Sequence, residues 1–122
     1  MPTVHVRSVV PPGGTDQVDE ALVAISRGVS AALDGEPSGT WCTFTAVDRS
    51  SIGERIVREE VRIVFVDMWI RPRGTDVDRA AFEAACRAAA AGFGVPIEDV
   101  WATLRHVVPG RVFAGGALVK DD

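Results

Sequence analysis

Three residues of this sequence are of types that could do chemistry: Pro2, Arg71 and Arg73. With Met1 removed, the nitrogen of Pro2 becomes a secondary α-amine. Such an amine ordinarily titrates near ~7.7–8. An apolar pocket or a nearby cation lowers that value, which leaves a neutral base at working pH. The pyrrolidine ring also fixes the direction of the amine. With Met1 attached, the same nitrogen is a tertiary amide and has no basic lone pair. The plainer alternative is a terminal residue that leads into a strand.

Arg71 and Arg73 flank Pro72 directly after an apolar run. Planar guanidinium forks suit bidentate recognition of a carboxylate, and a cation at that place stabilises developing enolate charge. A solvated basic loop is the competing reading of the same pair.

Other reactive residue types carry less. His5 and Arg7 share a strand face with Thr3; they line a pocket beside Pro2 or, as is preferred, face solvent or a subunit boundary. His106 has no partner at metal-ligand spacing, so no metal site is expected. Cys42 and Cys86 form no Cys-x-x-Cys pair and have no nearby His, so neither is expected to be a nucleophile. Gly13-Gly14 is a turn, because no Gly-x-Gly-x-x-Gly or phosphate loop follows, and no cofactor is expected.

The composition sets the frame for these residues. The chain has 122 residues, 47% of them apolar and 25% charged, with a formal net charge of -4. That reads as a single domain over 1–122 with an ordinary globular balance, not a disordered chain. Acids outnumber Lys and Arg by 17 to 13, and without a basic run no nucleic-acid partner is expected. Two cysteines are too few for a disulfide scaffold and fit reduced thiols in a cytosolic protein. The alternating start, Met1 to Arg7, is no signal peptide. No apolar run approaches a membrane span, so no membrane partner and a cytoplasmic location are expected.

The elements that must position the reactive residues come in duplicate. At an offset of 60, Pro12-Gly13-Gly14-Thr15-Asp16 meets Pro72-Arg73-Gly74-Thr75-Asp76, and Trp41-Cys42-Thr43 meets Trp101-Ala102-Thr103. Internal repeats of about 2–58 and 62–118 follow. Trp41 and Trp101 fall at equivalent places, which favours core packing for both.

Each repeat reads strand, turn, helix, strand. The first has a strand at 3–9, with Val4 and Val6 on one face, and a turn over Pro11 to Gly14. Thr15 or Asp16 is expected to cap the helix. The helix carries Val18, Ala21, Leu22, Ile25, Val29, Ala32 and Leu33 on one stripe, and Gly35 stops it. A strand at about 40–47 follows. The second repeat has a strand at 61–70, a turn at 71–74, a helix from about 76 to 91 and a strand at 99–107. Gly92, Gly94 and Pro96 end its helix. A polar link, Asp48 to Glu60, crosses between the halves, and Arg111 to Val119 reads as a terminal hairpin.

A helical crossover makes the two strands of each unit parallel. The expected class is α+β, α/β-like: two tandem β-α-β repeats in a four-stranded sheet with two helices on one face. Ile63 and Phe65 lie on one side of the strand at 61–70, and Val64, Val66, Met68 and Ile70 on the other. Two helices cover only one face, so a second copy of the chain is expected to cover the other.

These residues resemble the tautomerase superfamily, whose members begin with proline after the initiator methionine. Pro2 before a short alternating strand, the tandem unit of about 60 residues, and Gly94-Val95-Pro96-Ile97-Glu98-Asp99-Val100-Trp101 carry the resemblance. It implies a homotrimer and a small-molecule carboxylate as substrate. The nearest group is the one that contains cis-3-chloroacrylic acid dehalogenase, where two arginines past the third strand bind the carboxylate, as Arg71 and Arg73 would here. That group's helix histidine is missing from Arg27-Gly28-Val29-Ser30. Thr103 stands in place of its tyrosine, and Phe113 in place of its water-activating glutamate. Thr103 and Phe113 are thereby implied as substrate-binding positions, with Phe113 in the hairpin that closes the pocket. Hydrolytic dehalogenation is left without a base for water.

The resemblance implies a cofactor-independent tautomerase or isomerase of 2-oxo or 2-hydroxy acids, with Pro2 as general base. Two other classes compete: an inert protein of the same fold with Met1 retained, serving assembly or ligand binding, and a dimeric ferredoxin-like small-molecule-binding protein with an antiparallel sheet.

Overall fold

The computed structural model describes residues 2–56 and 62–119. The first unit consists of β1 (Thr3–Ser8), α1 (Gly14–Ala32) and β2 (Trp41–Ala46). The link that follows forms a short hairpin of β3 (Ser51–Ile52) and β4 (Arg55–Ile56), which the sequence reading did not anticipate; residues 57–61, the rest of the expected link and the first residue of the expected strand, lie outside the described residues. The second unit is β5 (Val64–Ile70), α2 (Thr75–Phe93) and β6 (Val100–His106), and the terminal hairpin is β7 (Phe113–Ala114) with β8 (Ala117–Leu118).

The four long strands form one mixed sheet in the order β2-β1-β5-β6. Within each unit the strands run parallel, β1 with β2 and β5 with β6, and the two units meet through the antiparallel pair β1–β5. Parallel neighbours inside each unit exclude the all-antiparallel ferredoxin-like sheet.

Strand alternation sorts the side chains. Val4, Val6, Val64, Val66, Met68 and Ile70 are buried under the helices. The helices return Val18, Ala21, Ile25 and Val29 from α1, and Ala81, Ala85, Ala89 and Phe93 from α2. Phe44 of β2 stacks on Phe93 with ring centroids 5.5 Å apart. Buried positions of the two helices correspond at the repeat offset, with two exchanges of character: Asp78 is buried where the first unit has Val18, and Ala90 where it has Ser30. Small residues let the helices approach closely. A Cβ on Gly92 would lie 2.6 Å from the Ala21 side chain and 2.9 Å from its Cα.

Three local expectations are corrected. Helix α1 begins at Gly14, and neither Thr15 nor Asp16 caps it; instead Gln17 reaches back, and its side-chain oxygen accepts the Gly13 N–H at 2.8 Å. At the other end Asp34, with φ 56, takes the left-handed conformation expected of Gly35. Gly35 still closes the turn through its N–H to the Ser30 carbonyl at 2.8 Å. Trp41 and Trp101 are not core residues. They are 57% and 62% exposed, because their parity places them on the sheet face away from the helices, while Cys42, Phe44, Ala102 and Leu104 take the inner positions.

That open face is aromatic with a polar belt across its middle. Phe65 and Trp69 alternate with Asp67 along β5, and Trp41 and Trp101 lie on the two edge strands, β2 and β6. His5 Nδ1 lies 2.5 Å from Thr43 Oγ1, Thr103 donates to Asp67, and Arg7 lies 3.7 Å from Asp67 and over the Phe65 ring. His5 and Arg7 thus lie on the sheet face away from the helices, against Thr43 and Asp67.

Candidate active site

Strand direction decides which residues meet. The starts of β1 and β2 and the ends of β5 and β6 gather at one end of the sheet. Pro2 precedes β1 there. It is buried, and its carbonyl accepts the Trp41 N–H at 3.1 Å, which holds the chain start against the start of β2. The loop 71–74 leaves β5 at the same end.

Pro2 and Arg73 line one cleft of about 200 Å³, together with Ser30, Leu33, Gly35, Glu36, Gly39 and Thr40. Its floor is braced by the buried hydrogen bond between Ser30 Oγ and Thr40 Oγ1, 2.9 Å. The end of α1 and the 3₁₀ turn Pro37–Gly39 supply its far wall. A proline, an arginine and a glutamate thus border one small space.

The other candidate residues sit around the terminal hairpin. Phe113, 69% exposed, borders an apolar cleft of about 280 Å³ with Thr3, Trp41, Trp69, Val107, Val112 and Ala114. Arg71 borders a third cleft of about 170 Å³ with Val107, Val112, Ala114, Gly115 and Val119 on the hairpin's other side. Arg71 and Phe113 therefore share the hairpin as a wall but face different spaces. Thr103 stands apart from all three, in mid-strand on the open sheet face with Asp67.

Glu36 is the residue that sequence reasoning missed. Parallel pairing of β1 with β2 brings the start of the second strand beside Pro2, and Glu36 lies in the loop that delivers it. A carboxylate just past a helix stop and just before that strand was the available signal. Glu36 borders the cleft with Pro2 and Arg73.

Neither thiol borders any of these three clefts. Cys42 is pushed up by burial, which the Ser26 hydroxyl at 3.2 Å partly offsets. Cys86 is pushed up by burial and by the charge of Glu83.

No protein-family model and no curated protein matches the chain. Solved structures do. "Pt0534 inactivated by 2-oxo-3-pentynoate" superposes with a TM-score of 0.81 at 11% identity, covering 96% of this chain and 94% of that one. Macrophage migration inhibitory factor of Toxoplasma gondii gives 0.72 at 17% identity, with 95% and 98% covered. A wild-type fused 4-OT described as a symmetric trimer gives 0.70 at 20% identity, with 97% and 94% covered. At these identities the likeness is one of architecture, and the chain has the tandem β-α-β fold of these structures.

Proposed function

We propose that the protein is a cofactor-independent tautomerase of 2-oxo or 2-hydroxy carboxylic acids, with Pro2 as the general base. The observation that carries the reading is that Pro2 and Arg73 border the same cleft. Once Met1 is removed, the Pro2 amine is kept neutral by burial and by the neighbouring guanidinium, both of which disfavour the ammonium form. Arg73 takes the substrate carboxylate, with Arg71 in support from the same loop. The neutral amine removes the proton from the carbon next to the 2-oxo group, and the resulting enolate is stabilised by the cation beside it. Protonation at oxygen gives the enol, and the reverse sequence returns the keto acid. The proton that Pro2 takes from carbon is the one returned to oxygen, which leaves the amine neutral again, and Glu36 borders the cleft in which this transfer takes place.

Phe113 and its apolar cleft receive the hydrophobic part of the substrate. Copies of the chain join through the open aromatic face as a homotrimer, an assembly supported by the symmetric trimer among the similar folds. Thr103, on that open face, reaches a substrate only across the boundary between copies. The test is an ultraviolet assay of phenylpyruvate enolisation with protein freed of Met1. A rate above buffer supports the reading, and a rate equal to buffer at millimolar substrate overturns it.

A further inference from the structure

The turns after the first strand of each unit satisfy the same backbone donor in different ways. In the first unit the Gly13 N–H donates to the neutral amide oxygen of Gln17 at 2.8 Å. At the equivalent place in the second, the Arg73 N–H donates to Asp78, 3.1 Å from Oδ1 and 3.4 Å from Oδ2. A neutral amide therefore suffices for this turn, yet the second unit uses a carboxylate. The Asp78 side chain is only 5% exposed, and burying a carboxylate is costly unless hydrogen bonds and a counter-charge compensate. Compensation comes from three directions. The Arg73 amide is one, and His106 Nε2, 3.3 Å from Oδ2, is the second. The third is the N-terminus of α2, whose first turn holds Asp78.

Three side chains at this turn are particular to the second unit. Arg73, Asp78 and His106 replace Gly13, Val18 and Ala46 of the first. The three exchanges fall together at the end of the sheet where Pro2 lies.

We propose that Asp78 is a positioning residue: held between the Arg73 amide and the His106 imidazole, it fixes the loop 71–74 so that Arg73 borders the Pro2 cleft in the orientation that binds a carboxylate. This inference rests on the reading of the cleft as a carboxylate site. Asp78→Val installs the residue that the first unit has at this position and removes the acceptor. Asp78→Asn keeps an acceptor for the Arg73 amide without the charge.

The readout is KM and kcat for phenylpyruvate and for its uncharged methyl ester, with phenylpyruvate affinity measured in parallel by calorimetry. Asp78→Val is expected to raise KM for the acid about ten-fold, the size of one lost hydrogen bond to a charged group. The ester's KM and both kcat values should stay near wild type. Asp78→Asn should retain most of the acid affinity. His106→Ala, at a half-exposed side chain, should give a smaller loss of the same acid-selective kind, and it supplies the test if Asp78→Val fails to fold. Equal shifts for acid and ester, or none in any variant, would overturn the inference while wild-type binding stands. A wild-type protein that neither enolises nor binds phenylpyruvate would overturn the reading of the cleft, and this inference with it.

Discussion

Val6 stands directly opposite Val66 in the antiparallel β1–β5 ladder, and the two are the same position of the repeat, 60 residues apart. The pair lies on an internal twofold, so each position at one end of the sheet has a counterpart at the other. Pro2, Arg71, Arg73, Asp78 and His106 occupy one end. Their counterparts are Arg62, Pro11, Gly13, Val18 and Ala46. Arg62 is buried, and its guanidinium Nη2 donates to the Gly94 carbonyl at 3.5 Å. Pro2, Arg71 and Arg73 thus stand together at one end of the duplicated fold, and none of them has its own residue type at the equivalent position of the other end.

The helix interface gives two glycine substitutions opposite signs. A Cβ on Gly28 meets nothing nearer than the Ala84 carbonyl oxygen at 3.7 Å, whereas one on Gly92 lies 2.9 Å from the Ala21 backbone. Gly28→Ala should stabilise the fold by up to ~1 kcal/mol through reduced backbone entropy loss in a helix. Gly92→Ala should destabilise it by about 1–3 kcal/mol through overpacking. Urea denaturation of both variants measures the difference.

Much of the fold was legible because duplication and periodicity agree. The stripe from Val18 to Leu33 and the alternation from Val64 to Ile70 each name one buried face, and packing obeys both. The misreadings are places where a side chain serves a neighbour that is distant in sequence. Gln17, not Thr15, satisfies the turn before α1. Trp41 and Trp101 follow strand parity, not their hydrophobicity. Of the site, the meeting of Pro2 with Arg73 was anticipated as a pair of residue types, while Glu36 enters only because parallel pairing places the start of β2 beside Pro2. Asp78 was invisible, since one acid in the first turn of a helix reads as an ordinary solvated charge.

The arginines should divide binding between them. Arg73→Ala is expected to weaken phenylpyruvate binding by about 1.5–3 kcal/mol, the worth of a charge-assisted contact. Arg71→Ala should cost less, because Arg71 borders a different cleft from Pro2. Calorimetric titration with circular dichroism as a folding control checks both, and unchanged affinity in both would return the pair to a solvated loop.

The open face should assemble. Trp41, Trp69 and Trp101 are exposed on that face, and exposed aromatics grouped in this way mark an interaction surface. Sedimentation at micromolar concentration is expected to give a trimer, and Trp101→Glu should shift it toward monomer. A wild-type monomer would refute the burial argument.

Thiol reactivity should be low at mildly alkaline pH. Burial raises both Cys42 and Cys86, so at a given pH less of each is thiolate than in an unfolded chain. Iodoacetamide labelling near pH 8 should therefore run slower for the folded protein than for the same protein in urea, and the gap should narrow as pH rises through the raised values. Equal rates would show that the thiols are not shielded.

The central claim rests on the Pro2 nitrogen, and one comparison tests it most directly. Protein freed of Met1 and protein that retains it, told apart by intact mass, are assayed side by side for phenylpyruvate enolisation across pH. The processed form should be active, with a rate that rises with pH through the lowered amine value and then levels off, as expected of a base that works only when neutral. Met1-retained protein should show little activity, because its Pro2 nitrogen is an amide. Equal rates from the two forms would contradict the mechanism and leave an inert protein of the same fold as the better account.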